Sequence, residues 1–309
     1  MNNASQIQNS YRNNKPSQQG FTLIELIIVI TIAGIVAVLA ATIMGNQMQA
    51  FVDLTRRAEL VDNAETAVRQ ITRDVRHALP NSVRITTNSG NQFLEFVPII
   101  GAGRYRTAVG SGAGETDILD FSTSDSTFQL LGASSAYPTF DSSSRMVVYN
   151  IGQKTASGDP VDGANVYGNF VSASGGVPVL NSHVITDAGM SRTDDIVTIT
   201  GGHQFAFESP QKRFYVVEDA TSYICDISNQ EILKHDGYSF GATQGDDINS
   251  PPLSLAAQKS TLVENVSACS FTYDAGNAQR SGLVTLRITL EDAGERVTLV
   301  HQIHVDNAP

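Results

Sequence analysis

The chain has 309 residues, of which 41% are hydrophobic and 17% are charged, and its formal net charge is −11. This hydrophobic content excludes a wholly disordered chain, and the 25 Gly residues favour a β-rich exported domain over a helical cytosolic enzyme. The acidic balance argues against a nucleic-acid-binding protein, because such proteins use clustered Lys and Arg to displace counterions from phosphates.

The first predicted element is an apolar segment close to the N-terminus. Residues 1–20 are polar, and the chain from Phe21 to Ala41 is almost entirely apolar. At about 1.5 Å per residue, this segment is long enough to cross the hydrocarbon core of a bilayer as a helix. An ordinary secretory signal is disfavoured, because the apolar run continues into a helical pattern rather than into a small-residue cleavage site. The polar exceptions in the segment are Thr22, Glu25 and Thr31.

An amphipathic pattern follows the apolar segment without a break. Hydrophobic residues recur every three or four positions from residue 51 to residue 79, which is typical of one helical stripe. Pro80 is the first proline after the segment and predicts the end of the helix. We therefore predict one N-terminal helix over residues 21–79, with residues 21–42 as its transmembrane part. The stripe consists of Phe51, Leu54, Ala58, Val61, Ala64, Val68, Ile71, Val75 and Leu79.

After Pro80 the period of the hydrophobic pattern changes from 3.6 to two, so residues 80–309 are predicted to form a head of mostly antiparallel strands. Residues 212–235 are predicted to form a three-stranded meander, and residues 284–305 a hairpin that turns near residue 293. The segment 150–193 is predicted to be a loop excursion, since it is rich in Gly, Ser and Asp. The other predicted strands are 93–97, 117–121, 145–149, 196–200 and 266–273. The expected fold class is α+β.

The residues Gly-Phe-Thr-Leu-Ile-Glu-Leu, from Gly20 to Leu26, stand directly ahead of the apolar span. This motif resembles the type III signal of the type IV pilin and pseudopilin family. The resemblance implies that a prepilin peptidase removes residues 1–20 by cutting after Gly20, on the cytoplasmic face, and methylates the new terminus at Phe21. It also implies that Glu25 is the carboxylate used in filament assembly.

Glu25 also has a physical reason to take part in assembly. A carboxylate just inside a membrane span costs several kcal/mol unless it is paired. Its own helix offers no Lys or Arg within a turn, whereas the cleaved terminus at Phe21 of a neighbouring subunit would supply a cationic amine. The alternative is an acidic residue that lies near the interface by chance and reaches the headgroups.

The head shows a second resemblance, to minor pilins of the mannose-sensitive haemagglutinin (MSHA) type of pilus, which are related to J-type pseudopilins of type II secretion. It rests on residues 98–106, on the strand region around Cys225, and on residues 262–307. It implies a low-copy structural subunit of the initiation or tip complex of a type IV pilus. The alternatives are a J-type pseudopilin and an adhesin or other binding module that uses a pilin-type anchor.

The resemblance also implies the partners and the location of the protein. The expected partners are other pilin-like subunits, a prepilin peptidase, the inner-membrane assembly platform and the lipid bilayer, with no nucleic acid. The protein is expected to cross the inner membrane once with a periplasmic head before assembly, and to lie in the pilus afterwards. No catalytic constellation is present in the sequence, so we expect neither an enzyme nor an obligatory cofactor.

Two smaller groups of residues give further predictions for the head. Cys225 and Cys269 are the only cysteines, and an exported domain favours a disulfide between them over two buried thiols. Asp159, Asp162 and Asn165 are weak candidates for calcium ligands, because they place oxygen atoms in one Gly-containing loop. Their spacing does not match an EF-hand, so a solvated acidic loop is the alternative.

Overall fold

The computed structural model consists of one long helix followed by a set of antiparallel sheets, so the predicted α+β class is confirmed. Helix α1 spans Leu23–Arg76, and a short 3-10 helix spans Leu253–Leu255. The residues that the structure describes are 20–111, 115–132, 140–161, 163–168, 183–276 and 281–307. The strands, in chain order, are β1 (Arg84–Asn88), β2 (Asn91–Phe96), β3 (Ile99–Arg104), β4 (Asp125–Gln129), β5 (Arg145–Val147), β6 (Met190–Thr193), β7 (Ile196–His203), β8 (Arg213–Val217), β9 (Ala220–Asp226), β10 (Glu231–Tyr238), β11 (Gln258–Val263), β12 (Val266–Asp274), β13 (Gly282–Asp292) and β14 (Glu295–Val305).

The chain divides into two compact units, residues 1–55 and residues 56–309. In the first unit, the described part of α1 exposes its large apolar side chains, and this helix is long and apolar enough to cross a membrane. In the second unit, α1 ends at Arg76, slightly before the predicted end at residue 79. The helix stops there because Leu79 N–H already donates to Val97 O at 2.8 Å, in a pairing with the chain after β2.

Among the described residues, the strands of the second unit form four sheets. The five-stranded sheet has the order β1-β2-β9-β10-β11, and a three-stranded sheet has the order β12-β13-β14. Two further three-stranded sheets have the orders β3-β8-β5 and β4-β7-β6. The predicted final hairpin is confirmed, since β13 pairs with β14 along its whole length and the turn at Ala293-Gly294 has positive φ at both residues.

Two of the strand predictions are wrong in instructive ways. The strand at residues 213–217, β8, does not continue into β9, because it pairs instead with β3 and β5 in a different sheet. The predicted meander is therefore reduced to the β9–β10 pair. Residues 117–121 are not a strand; Asp117 O and Leu119 N–H bond to Gln129 and Arg106, and the strand in this region is β4.

The main hydrophobic core lies between α1 and two of the sheets. Ala64, Ala67, Ile71 and Val75 of α1 are fully buried and form one cluster with side chains of β2, β9, β10 and β12–β14. The predicted apolar stripe is thus confirmed from Val61 onward, where the helix packs in the second unit. Its first residues do not belong to the core: Phe51, Leu54 and Ala58 are exposed.

Candidate processing and assembly site

The first turn of α1 is fixed by Thr22, the residue that precedes the helix. Thr22 O accepts the N–H of Leu26 at 3.1 Å, and Thr22 Oγ1 accepts the N–H of Glu25 at 3.3 Å. These bonds make Thr22 the N-cap, which satisfies N–H groups that have no partner inside the helix. The prediction placed the helix start at residue 21 and missed this cap. The signal was present, because Thr-x-x-Glu ahead of an apolar run is the spacing of a capping box.

Gly20 and Phe21, the predicted cleavage residue and new terminus, lie just before this cap. Both are outside the helix and exposed, and the side chain of Phe21 is 82% exposed. A Cβ atom built on Gly20 would meet no atom within 4 Å. The fold therefore does not require glycine at position 20, and a requirement for a small residue there would have to come from outside the chain.

Glu25 lies in the first turn of α1 and is exposed. Within the part of the chain that the structure describes, its carboxylate has no hydrogen-bond or ion-pair partner. The hydroxyls of the other polar residues on this helix segment are satisfied locally: Thr31 donates to Ile28 O at 2.9 Å, and Thr42 donates to Leu39 O at 2.9 Å. The N-terminal end of the helix dipole favours an acid at this position but does not replace a partner.

Residues 15–41 match the prokaryotic N-terminal methylation motif. This motif is the prepilin signal of type IV pilin-like proteins, and it supports a protein of that kind. In general terms it implies a prepilin peptidase and pilin-like partners, and the exposed apolar helix is compatible with a membrane anchor. The matched segment includes Gly20, Phe21 and Glu25, whose individual roles stay predictions. No curated protein and no solved structure matches the chain.

The head contains the predicted disulfide. Cys225 of β9 is bonded to Cys269 of β12, with their Cα atoms 6.0 Å apart and 44 positions apart in sequence. Cys225 is fully buried, and Cys269 packs against the core from a partly buried position. The bond joins the five-stranded sheet to the β12–β14 sheet, so it links two of the layers that cover α1.

The predicted calcium ligands do not form a cluster among the described residues. Asp159 is exposed, and Asp162 lies outside the described residues. Asn165 is buried, where its amide donates to Gln153 O at 3.1 Å and its oxygen accepts the N–H of Tyr167 at 3.0 Å. Asn165 therefore has a structural role in its own loop. Across the described ranges, no group of three or more His, Cys, Asp or Glu side chains is placed to hold a metal ion.

A buried ion pair, which the sequence pattern did not reveal, joins β1 to β2. Glu95 is completely buried, and the Arg84 guanidinium binds its Oε1 atom at 2.6 Å through Nη2 and at 2.8 Å through Nε. Tyr238 donates to the other carboxylate oxygen at 3.1 Å, and the guanidinium stacks 3.6 Å from the ring centroid of Tyr167. Burial raises the pKa of Glu95, and the positive charge of Arg84 opposes that rise.

A second polar cluster ties α1 to the five-stranded sheet. Tyr223 donates to Asp74 Oδ2 at 2.6 Å, and Lys234 Nζ lies 2.9 Å from the same oxygen. Although burial alone would raise the pKa of Asp74, the hydrogen bonds from Tyr223 and Lys234 bring that pKa below its ordinary value. The ionised form of Asp74 is therefore the one that the fold stabilises.

The surface of the head also carries an acidic groove of about 470 Å³. Asp226, one of its acids, is buried, and its Oδ1 atom accepts the N–H groups of Ser228 and Asn229. Asp247 likewise accepts the N–H of Asn249 at 2.9 Å. These local bonds engage the carboxylates of Asp226 and Asp247 in turns of the groove wall.

Proposed function

We propose that the chain is a structural subunit of a type IV pilin-like filament: a minor pilin in the initiation or tip complex of an MSHA-type pilus, similar to MshO, and not an enzyme. The observation that carries this proposal is the methylation motif over residues 15–41, set at the capped start of a helix whose apolar side chains are exposed. A helix of this kind has to be covered by lipid before assembly and by other subunits afterwards.

Glu25 is the residue that we propose turns this anchor into an assembly element. Its carboxylate has no partner among the described residues, and a membrane environment makes an unpaired charge costly. Cleavage after Gly20 would create an amine at Phe21, and the amine of a neighbouring subunit would complete an ion pair with Glu25. Without that amine, the desolvated carboxylate would be left unpaired, which costs about 3–5 kcal/mol for a buried pair that loses one partner.

The location and the remaining partners follow from the same proposal. Before assembly, the protein crosses the inner membrane once with a periplasmic head, and the peptidase and the assembly platform act on it there. The disulfide between Cys225 and Cys269 supports an oxidising compartment for the head. The size of the compact unit at residues 56–309 favours a tip position, since a bulky head is harder to repeat along a narrow fibre.

The test is replacement of Glu25 by Val in the full chain. The change makes the span more apolar, so membrane insertion is preserved, and the bond to Thr22 is preserved because it uses the backbone N–H of residue 25. We expect the variant to be processed but retained in the inner membrane, with few surface pili and without co-purifying pilin-like subunits. The matched control is Glu59→Val, an exposed acid on the same helix beyond the apolar segment. If Glu25→Val leaves pilus number and partner recovery at wild-type levels, Glu25 is not an assembly contact.

A J-type pseudopilin of a type II secretion system is the alternative within the same class. A deletion strain separates the two, since loss of surface pili supports the pilus subunit and loss of secreted enzymes with normal pili supports the pseudopilin. The acidic groove near Asp226 favours, as a third candidate, a binding module on a pilin-type anchor. If the protein is such a module, substitutions in the groove should leave pilus assembly normal and weaken the attachment of cells to a surface.

A further inference from the structure

The start of α1 lies very close to the bond that the peptidase is proposed to cleave. That bond joins Gly20 to Phe21, and the helix begins at Leu23 after the cap at Thr22. The carbonyl of Gly20 therefore stands outside the hydrogen-bond ladder of the helix, whose first accepting carbonyl is that of Thr22. A carbonyl inside an α-helix accepts the N–H four residues later, so a peptidase can attack it only after the helix opens.

We propose that Thr22 is a positioning residue for processing: by capping α1 at Leu23, it keeps the Gly20–Phe21 bond non-helical and open to the peptidase. This inference rests on the proposed function, because it presupposes cleavage after Gly20. It goes beyond that function by assigning a residue on the far side of the cut, which does not itself react, to the efficiency of the cleavage.

The helix needs a cap at Thr22, because without one it would extend toward Gly20. Backbone N–H groups near lipid are costly when they lack a hydrogen-bond partner. A helix that starts earlier in the chain gives partners to the N–H groups of its former first turn, so extension is favoured over fraying. Glycine is an acceptable N-cap, whereas Val and Ala are poor ones. If the cap at Thr22 is lost, Gly20 becomes the next available cap. Its carbonyl, the one that must be attacked, then accepts the N–H of Ile24.

The size of the effect follows from the strength of an N-cap. Removal of a Thr cap shifts the helix-start equilibrium by roughly fivefold, with a range of about twofold to thirtyfold. A cleavage rate that depends on the open, non-helical state should fall by a similar factor.

The experiment measures the rate of cleavage of the full chain, inserted in membranes, by a prepilin peptidase. Thr22→Val keeps nearly the shape of Thr but cannot cap, whereas Thr22→Ser and Thr22→Asn keep the cap and change the shape. We expect Thr22→Val to be cleaved roughly fivefold more slowly than the wild type, and the Ser and Asn variants to be cleaved at least as fast as the wild type. Rates that follow shape, with Val equal to the wild type and Asn slowest, would instead show direct recognition of the side chain and overturn the proposal.

A second readout measures the helix start itself. Amide hydrogen exchange of the uncleaved chain in detergent should show the N–H of Ile24 protected in Thr22→Val and exchanging faster in the wild type. Unchanged exchange at Ile24 together with slow cleavage would also contradict the capping role. Gly20→Val is the control that should block cleavage without changing the cap. If wild-type chain is not cut between Gly20 and Phe21 at all, the proposed function fails; if it is cut and all Thr22 variants match it, only this inference fails.

Discussion

Replacement of Arg84 by Met should destabilise the head severely, because it leaves the Glu95 carboxylate buried without its counter-charge. Glu95 is fully buried, and both of its short ionic contacts come from Arg84, at 2.6 and 2.8 Å. Breaking one side of such a pair costs about 3–5 kcal/mol, whereas a surface pair is worth about 0–1 kcal/mol. The matched control is Arg296→Met, which breaks an exposed pair with Glu291 at 3.7 Å.

The stability lost in Arg84→Met should also depend on pH, and it should be smaller at low pH. Burial already raises the pKa of Glu95, and removal of Arg84 takes away the charge that opposes this rise. In the variant, the folded state therefore binds a proton at pH values where the unfolded state, with a pKa near 4.5, does not. Its stability should fall as pH rises above that value, so the deficit is smaller at pH 5 than at pH 8.

The assay is urea unfolding of the full chain in detergent, followed by near-ultraviolet circular dichroism of the tyrosines. We expect the double variant Arg84→Met with Glu95→Gln to recover much of the loss and to show little dependence on pH between 5 and 8. A loss below 1 kcal/mol in Arg84→Met, equal to that of the Arg296→Met control and constant with pH, would refute the reasoning. It would mean that water or another cation reaches Glu95.

Two further predictions concern the disulfide between two of the sheets and the polar contacts between α1 and the five-stranded sheet. Replacing both Cys225 and Cys269 by Ala should lower the free energy of unfolding by about 4 kcal/mol, from the closure of a loop of 44 residues, and a reducing agent should affect only the wild type. Asp74→Asn should cost about 1–2 kcal/mol at pH 7, because the ionised Asp74 accepts bonds from Tyr223 and Lys234. Because the fold lowers the pKa of Asp74, its stabilising contribution is present above the unfolded pKa of 3.8 and is lost as the pH falls below that value. The stabilities of Asp74→Asn and the wild type should therefore converge in acid. A difference that stays constant in urea titrations from pH 7 to pH 3 would contradict this prediction.

Local patterns in the sequence predicted those parts of the fold that local physics controls. The alternation Val284, Leu286, Ile288 and Leu290 predicted the final hairpin because all four side chains face the core. The stripe of α1 beyond Val61 was predicted for the same reason. The segment around Gly20 matches the N-terminal methylation motif, which is a short linear signal, and cleavage after Gly20 stays a prediction.

The features that sequence reasoning missed depend on which distant segments meet. The pairing of β8 with β3 and β5, instead of β9, cannot be read from β8 itself, whose residues suit either sheet. The buried pair of Arg84 and Glu95 requires the β1–β2 register, in which these two residues are directly opposed. A charged residue in an alternating strand otherwise predicts an exposed position. The cap at Thr22 is an exception, because the local spacing Thr-x-x-Glu was enough to predict it.

The order of strands in the five-stranded sheet bears on how the chain acquires its fold as it emerges N-terminus first. β1 and β2 are joined by the two-residue turn Ser89-Gly90, with positive φ at both positions, so this hairpin can form as soon as it is made. Its partner β9 arrives about 120 residues later, and closing that longer loop costs roughly 3–4 kcal/mol more in chain entropy than closing the turn. During that interval the edge of β2 is unpaired and can pair with other strands. A nascent chain is therefore most exposed to misassembly before residue 226 has emerged, and a chaperone acting on it would have to cover the edge of β2.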